Sequence, residues 1–175
     1  MMEKPVVIET DRLILRPHGI ADFQDVHALW SDPGVVQHIF DRPQTEAEVW
    51  FRLLRYAGHW SLLGYGYWAV IERASGRFMG EVGFADYKRE IEPPMTGLPE
   101  AGWVMARAAH GQGIAKEAMK AALDWCDEHV DAPGTWAMIT PENAASVRLA
   151  EKLGFGQTRT GMFNGKARLI FERGR

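Results

Sequence analysis

Between Glu100 and His129 the chain passes from strand to glycine turn to long helix in immediate succession, and this constrains the fold more than any other stretch. Glu100-Ala-Gly-Trp-Val-Met-Ala106 reads as a strand, Arg107 to Gly113 is rich in small residues, and Ile114 to about His129 reads as a helix. A helix N-terminus presents unpaired N–H groups and a partial positive charge. Gly111 and Gly113 allow backbone to approach an anion closely, so Met105 to Ala118 has the makings of a phosphate cradle. No Gly-Lys-Ser/Thr follows, as a nucleotide P-loop requires, and the third glycine and distal acid of the dinucleotide fingerprint are missing. The anion therefore belongs to something other than ATP or NAD.

The remaining elements follow from period and punctuation. Arg12-Leu-Ile-Leu-Arg16 is a strand ended by Pro17, and Ile20 to Ser31 is a helix stopped by Asp32-Pro33-Gly34. Val35 to Pro43 is a loop or short helix, and a second long helix runs from Thr45, an N-cap with Glu48 three residues on, to about Trp60. Gly66 to Arg73 and Arg77 to Tyr87 are strands around Ala74-Ser75-Gly76, and a proline-rich stretch, Glu92 to Pro99, leads into the strand at Glu100. The tail reads as a strand (Thr135 to Thr140), a helix (Asn143 to Leu153, closed by Gly154) and two strands joined at Asn164-Gly165, a type I′ turn signal. The order is β-α-α-β-β-β-α-β-α-β-β, a mixed α/β (α+β) layer that is mostly antiparallel in its first half. A single domain over residues 1–175 is expected.

Composition removes several function classes. With 20 Lys+Arg against 23 Asp+Glu the net charge is -3, so there is no broad basic footprint for nucleic acid or an anionic membrane. One cysteine, Cys126, builds no disulfide framework, and no Cys/His cluster has metal-ligand spacing, so no metal is expected and the compartment reads as reducing, hence cytoplasmic. Met1 to Thr10 lacks a leader's apolar region. The seven tryptophans are spread along the chain, as large core anchors would be.

Two motifs together carry a family resemblance. His110-Gly-Gln-Gly-Ile-Ala115 resembles the Gln/Arg-x-x-Gly-x-Gly/Ala pyrophosphate loop of the GNAT acyltransferase superfamily, and Asn143-Ala-Ala-Ser-Val-Arg-Leu-Ala-Glu-Lys-Leu-Gly-Phe155 resembles the segment after its fifth strand. The opening Thr10-Asp-Arg-Leu-Ile-Leu-Arg-Pro17 is similar to the RimJ/RimL-type branch, which includes ribosomal-protein N-terminal acetyltransferases. The resemblance implies a mostly antiparallel sheet of about six to seven strands, splayed between the fourth and fifth and flanked by about four helices. It also implies acetyl-CoA as co-substrate and an amine acceptor, a protein N-terminus or a small molecule; dimers are common in this branch, so a homodimer is an expectation.

Set on these residues, the resemblance gives backbone of Val104, Met105 and Ala106 to pantetheine. It gives His110, Gly111, Gln112, Gly113, Ile114 and Ala115 to the pyrophosphate, with Asn143 and Ser146 beside the thioester. Glu100, with Glu81 second, is the candidate base for the incoming amine, and Ser146 the candidate acid for the departing sulfur. The chain departs from the family at His110 and at Leu149-Ala150, where many members carry an acidic tyrosine. That second departure keeps open a rival reading, a non-catalytic acyl-CoA sensor or interaction domain of the same fold. Cys126 sits on an apolar helix face and reads as a small buried thiol, His38 and His59 as candidates to face the acceptor, and Trp30, Trp50 and Trp60 as candidates to line its pocket.

Overall fold

Leu13 and Leu15 are fully buried while their neighbours in the strand are only partly so, the period-2 burial of a strand with one face on a core. The computed structural model describes residues 6–95 and 97–175; half of the Met1–Thr10 segment read above lies outside them. The elements are β1 (Ile8–Glu9), β2 (Leu13–Pro17), α1 (Phe23–Ser31), α2 (Pro33–Val36), α3 (Glu46–Leu63), β3 (Tyr67–Glu72), β4 (Phe78–Ala85) and β5 (Glu100–Met105). They continue with α4 (Ile114–His129), β6 (Gly134–Ile139), α5 (Ala144–Lys152), β7 (Gly156–Phe163) and β8 (Lys166–Gly174). One mixed sheet of eight strands runs β1-β2-β3-β4-β5-β6-β8-β7.

Every neighbouring pair is antiparallel except β5 and β6, which run parallel because α4 carries the chain from one to the other. The pattern-based count of seven strands misses β1, a two-residue strand paired with β2, and the count of four helices misses α2. In α2 the Asp32 side chain accepts from the Gly34 N–H and Pro33 opens the helix, so residues that end α1 also start the next turn. The Thr45–Glu48 capping box forms as read, and Asn164 and Gly165 both take the positive φ (50° and 72°) of a type I′ hairpin.

α4 packs its apolar stripe of Ile114, Ala118, Met119, Ala122, Leu123 and Cys126 onto one sheet face, against Val82, Phe84, Ala101 and Met105. Truncating the fully buried Met119 to alanine removes transfer energy and leaves a cavity, about 2–5 kcal/mol. Helices α1 and α3 cover the opposite face with Val26, Leu29, Trp30 and Val49, next to Val104 of β5. Trp60, Trp68 and Trp125 meet edge to face, with centroids 4.8–5.7 Å apart. Trp60 is thus a core anchor, and its indole N–H donates to the Tyr67 carbonyl at 3.0 Å. Among the described residues, no helix is long and apolar enough to cross a membrane.

Candidate active site

Strands β5 and β6 touch at one register pair, Glu100 with Trp136, and then diverge. Beyond that pair, alternate residues of β5 face β4 and the gap. The Ala106 N–H donates to the Met79 carbonyl at 2.9 Å, and in this register Val104 faces β4 as well. Trp103 and Met105 therefore present their backbone to the gap. Of the three residues expected to meet pantetheine, Met105 alone has its main chain on that side, and Trp103, which the sequence did not single out for this, shares it. The His110 ring folds back, its Nε2 3.0 Å from the Met105 carbonyl, so this side chain braces the turn.

The turn then delivers the helix. Gly111 and Gly113 adopt φ of 73° and 75°, the left-handed region where glycine carries no Cβ penalty, and α4 starts without a side-chain cap. Helix geometry leaves the N–H groups from Gly113 to Lys116 without intrahelical acceptors. A Cβ built on Gly111 would meet open space, and one on Gly113 only the tip of Arg12 at 3.6 Å. A strand edge with no neighbouring strand, on which the Met105 carbonyl meets His110 and the Trp103 and Met105 N–H groups face the gap, leads to an uncapped helix start and matches the needs of a pantetheine arm followed by a diphosphate. The backbone present therefore fits acetyl-CoA.

A cleft of about 730 Å³ opens between α3, the Tyr87–Arg89 segment, β5, β6 and the start of α5. Glu100, Ser146 and Asn143 all line it, as do His38 and His59. The Asn143 side-chain oxygen Oδ1 accepts from the Ser146 N–H at 3.2 Å, the N-cap bond expected for that spacing. The Trp103 indole N–H donates to Ser146 Oγ at 3.2 Å, which occupies a lone pair and leaves the serine proton for another acceptor. Glu100 is not a solvated strand end: it is 7% exposed, and both its oxygens accept from Arg89, at 2.7 and 2.9 Å. Arg89 lies over the rings of Tyr87 and Phe163.

Glu81 has a different setting. It is fully buried, accepts from Trp30 Nε1 at 2.9 Å and from the Tyr56 hydroxyl, and lies 3.2 Å from His18 Nε2. Burial alone would push its carboxyl up; the hydrogen bond and charge of His18, with Arg52 and Tyr56, outweigh this and hold it below the usual carboxylate range. It does not line the cleft, whereas Trp30 and Arg52, which pack around it, do. Of the three early tryptophans only Trp30 reaches the cleft; Trp50 packs edge-on against Phe23 instead. Tyr67, stacked on Tyr56 with centroids 4.8 Å apart, also lines it, and burial raises its phenol well above the ordinary value. Burial likewise pushes the Cys126 thiol up to about 12, so it offers no thiolate at neutral pH. Arg89, Arg52 and Tyr67 had no local signal, because each gains its place through partners distant in sequence.

Comparison with known proteins agrees with this geometry. A model of the acetyltransferase (GNAT) domain matches residues 12–156, most of the chain. Uncharacterized protein YkkB of Bacillus subtilis (strain 168) is 29% identical over 176 residues, covering 98% of each chain. Among solved structures, a protein of Bordetella pertussis assigned to the GNAT acetyltransferases is 35% identical, with a TM-score of 0.83 over 96% of this chain and 99% of that one. RimL, a ribosomal L7/L12 alpha-N-protein acetyltransferase solved with coenzyme A, shares the fold at 17% identity, with a TM-score of 0.79 over 97% and 98% of the two chains. With a family match over residues 12–156 and a strand edge, glycine turn and helix start where that family's fold requires them, the chain belongs to the GNAT family and is an acetyltransferase.

Proposed function

We propose that the protein is an acetyl-CoA-dependent N-acetyltransferase of the RimJ/RimL-type branch, in which an amine attacks the thioester directly. The observation that carries this is a convergence. The open edge of β5, Ser146 and Glu100 border one cleft, and β5 leads through the glycine turn to the uncapped start of α4. The branch assignment is supported by the Thr10–Pro17 motif and by the fold shared with ribosomal-protein acetyltransferases.

Acetyl-CoA supplies an acetyl group already activated as a thioester. The N–H groups of Gly113 to Lys116 hold its diphosphate, and the backbone of Trp103 and Met105 holds the arm. Glu100, fixed by Arg89, takes the proton of the incoming ammonium; a carboxylate has about four acceptor sites, so two remain after the Arg89 fork. Ser146, held by Trp103 and Asn143, turns its hydroxyl proton into the cleft to meet the departing sulfur. Glu81 acts at one remove, fixing Trp30 and Tyr56 behind the cleft wall. The chain acts as one domain, in the cytoplasm and as a homodimer.

The test is a steady-state thiol-release assay with acetyl-CoA and a panel of primary amines. The account expects turnover that falls about 10²-fold in Glu100→Gln at neutral pH and recovers as rising pH deprotonates the amine. Binding of CoA with no turnover on any amine would instead make the chain an acyl-CoA sensor.

A further inference from the structure

The cleft wall has a charge opposite to that of the whole protein. The chain carries a net charge of -3, yet five cations (Arg52, Arg55, Lys88, Arg89 and Arg168) line the cleft against three carboxylates. Each carboxylate is already engaged: Glu48 by Arg42, Asp86 by Lys88 and Glu100 by Arg89. Arg52, Arg55 and Arg168 make no ion pair among the described residues.

Arg52 is the most telling of the three. It is 7% exposed, and its guanidinium is stacked 3.6 Å from the centre of the Trp30 ring, which fixes its plane. One N–H donates to the Gln44 side-chain oxygen Oε1 at 2.9 Å and another reaches the Tyr56 hydroxyl at 3.5 Å, while Nε has no partner. A guanidinium has five N–H donors, so most of this buried cation is unsatisfied. Glu81 attracts it from beyond Tyr56 without pairing with it: one Glu81 oxygen accepts from both Trp30 and Tyr56, and the other lies 3.2 Å from His18 Nε2. Nε is closed off from the cleft, but Arg52 lines it, and the second N–H of each terminal nitrogen is left for an anion there.

Building on the reading of the cleft as an acetyl acceptor site, we infer that the acceptor is an amine that also carries a carboxylate. The carboxylate is received by Arg52, with Arg55 and Arg168 adding charge, while the amine reaches Glu100. Polycationic acceptors such as polyamines are disfavoured by the same wall. The carboxylate can belong to a free amino acid or to an acidic side chain near a peptide N-terminus, and the probes below separate these sources.

The experiment measures kcat/KM with acetyl-CoA for L-phenylalanine, L-methionine and L-glutamate, each against its α-amide, and for a peptide amide with aspartate at its second position against the asparagine version. Spermidine is included. The same probes are titrated calorimetrically into the protein–CoA complex, a readout that needs no turnover. At least one carboxylate-bearing probe is expected to exceed its amide about 10- to 100-fold. In Arg52→Gln that ratio falls to within about 3-fold. If Arg52→Gln fails to bind acetyl-CoA as a check of folding, Arg168→Gln is used and reduces the ratio in the same direction. Equal handling of acid and amide, preference for spermidine, or no binding of any acid probe overturns the inference and leaves acetyl transfer itself standing. Tighter binding of an acid than its amide with no turnover on any amine upholds a carboxylate site at Arg52 but refutes both the transferase reading and the acceptor role inferred from it.

Discussion

Replacing Gly113 by valine separates the cost of folding from the cost of binding. Gly113 sits at φ 75°, where a residue other than glycine costs about 1–3 kcal/mol. The added Cβ meets only Arg12 Nη2, at an ordinary contact distance of 3.6 Å, so no clash adds to that strain. For a chain of this size each kcal/mol moves Tm by roughly 2–4 °C, and the expected drop is about 2–12 °C. The effect on acetyl-CoA should be separate and larger. The valine side chain stands where a diphosphate must approach the N–H groups at the start of α4, and each charge-assisted hydrogen bond lost is worth about 1.5–3 kcal/mol, or about 10- to 100-fold in Kd. The control is Gly76→Val in the β3–β4 turn, where φ is 72° and the added Cβ meets nothing within 4 Å. It carries the same strain away from the cradle. Calorimetric titration with acetyl-CoA should find Gly113→Val at least about 10-fold weaker than wild type and Gly76→Val unchanged. Equal affinity in wild type and Gly113→Val, or equal losses in the two variants, would refute the assignment of the helix start to the diphosphate.

Contacts elsewhere in the molecule set four further outcomes. Glu81→Leu strips an acceptor from Trp30, Tyr56 and His18, and denaturant unfolding at pH 7 should find it about 3–5 kcal/mol less stable. Because the folded environment holds the Glu81 carboxyl below its unfolded value of about 4.3, its contribution is fully present above that pH and is lost as pH falls through the folded value. The stability gap between wild type and Glu81→Leu should therefore narrow in acid, and a gap that widens there would contradict the sign. Ser146→Ala should lower kcat about 10²-fold with little change in KM for acetyl-CoA. Trp103→Phe, which removes the bond to Ser146 Oγ along with part of the ring packed near Phe155, should reproduce part of that loss and move the alkaline limb of the pH–rate profile; a profile identical to wild type would make the contact structural. Cys126, 3% exposed and with its thiol pushed up to about 12, should resist iodoacetamide in the native protein at pH 8 when followed by mass spectrometry, and Cys126→Ala should keep its activity.

The parts of the site that could be read from sequence are those set by local backbone chemistry. The change from period 2 to period 3.6 across Met105–Ile114, the two glycines at positive φ and the Asn143 cap each act within a few residues, and each stands where its local signal put it. Glu100 shows where such reading stops. A carboxylate at a strand end looks solvated until Arg89, eleven positions earlier, returns through the Tyr87–Arg89 segment to hold both its oxygens. Glu81 was hidden more deeply, since its partners Trp30 and Tyr56 lie 51 and 25 residues away and meet it only when α1 and α3 pack on the sheet. Trp60 carries the helical period of α3 but lies toward Trp68 and Trp125, and periodicity does not say which neighbour a stripe will meet. The smallest elements were lost for an energetic reason: β1 and α2 are too short to show a period, and their pairing and capping partners supply what their own residues do not.

The central claim is that acetyl-CoA enters where β5 and β6 part and ends on the start of α4. Hydrogen exchange with and without acetyl-CoA, resolved to single amides by NMR, tests it most directly. The account predicts added protection at the Trp103 and Met105 amides, which face the gap, and at Gly113 to Lys116. It predicts little change at Val104 and Ala106, which are already turned toward β4. Protection confined to other parts of the sheet, or none at the helix start on saturation with acetyl-CoA, would contradict it.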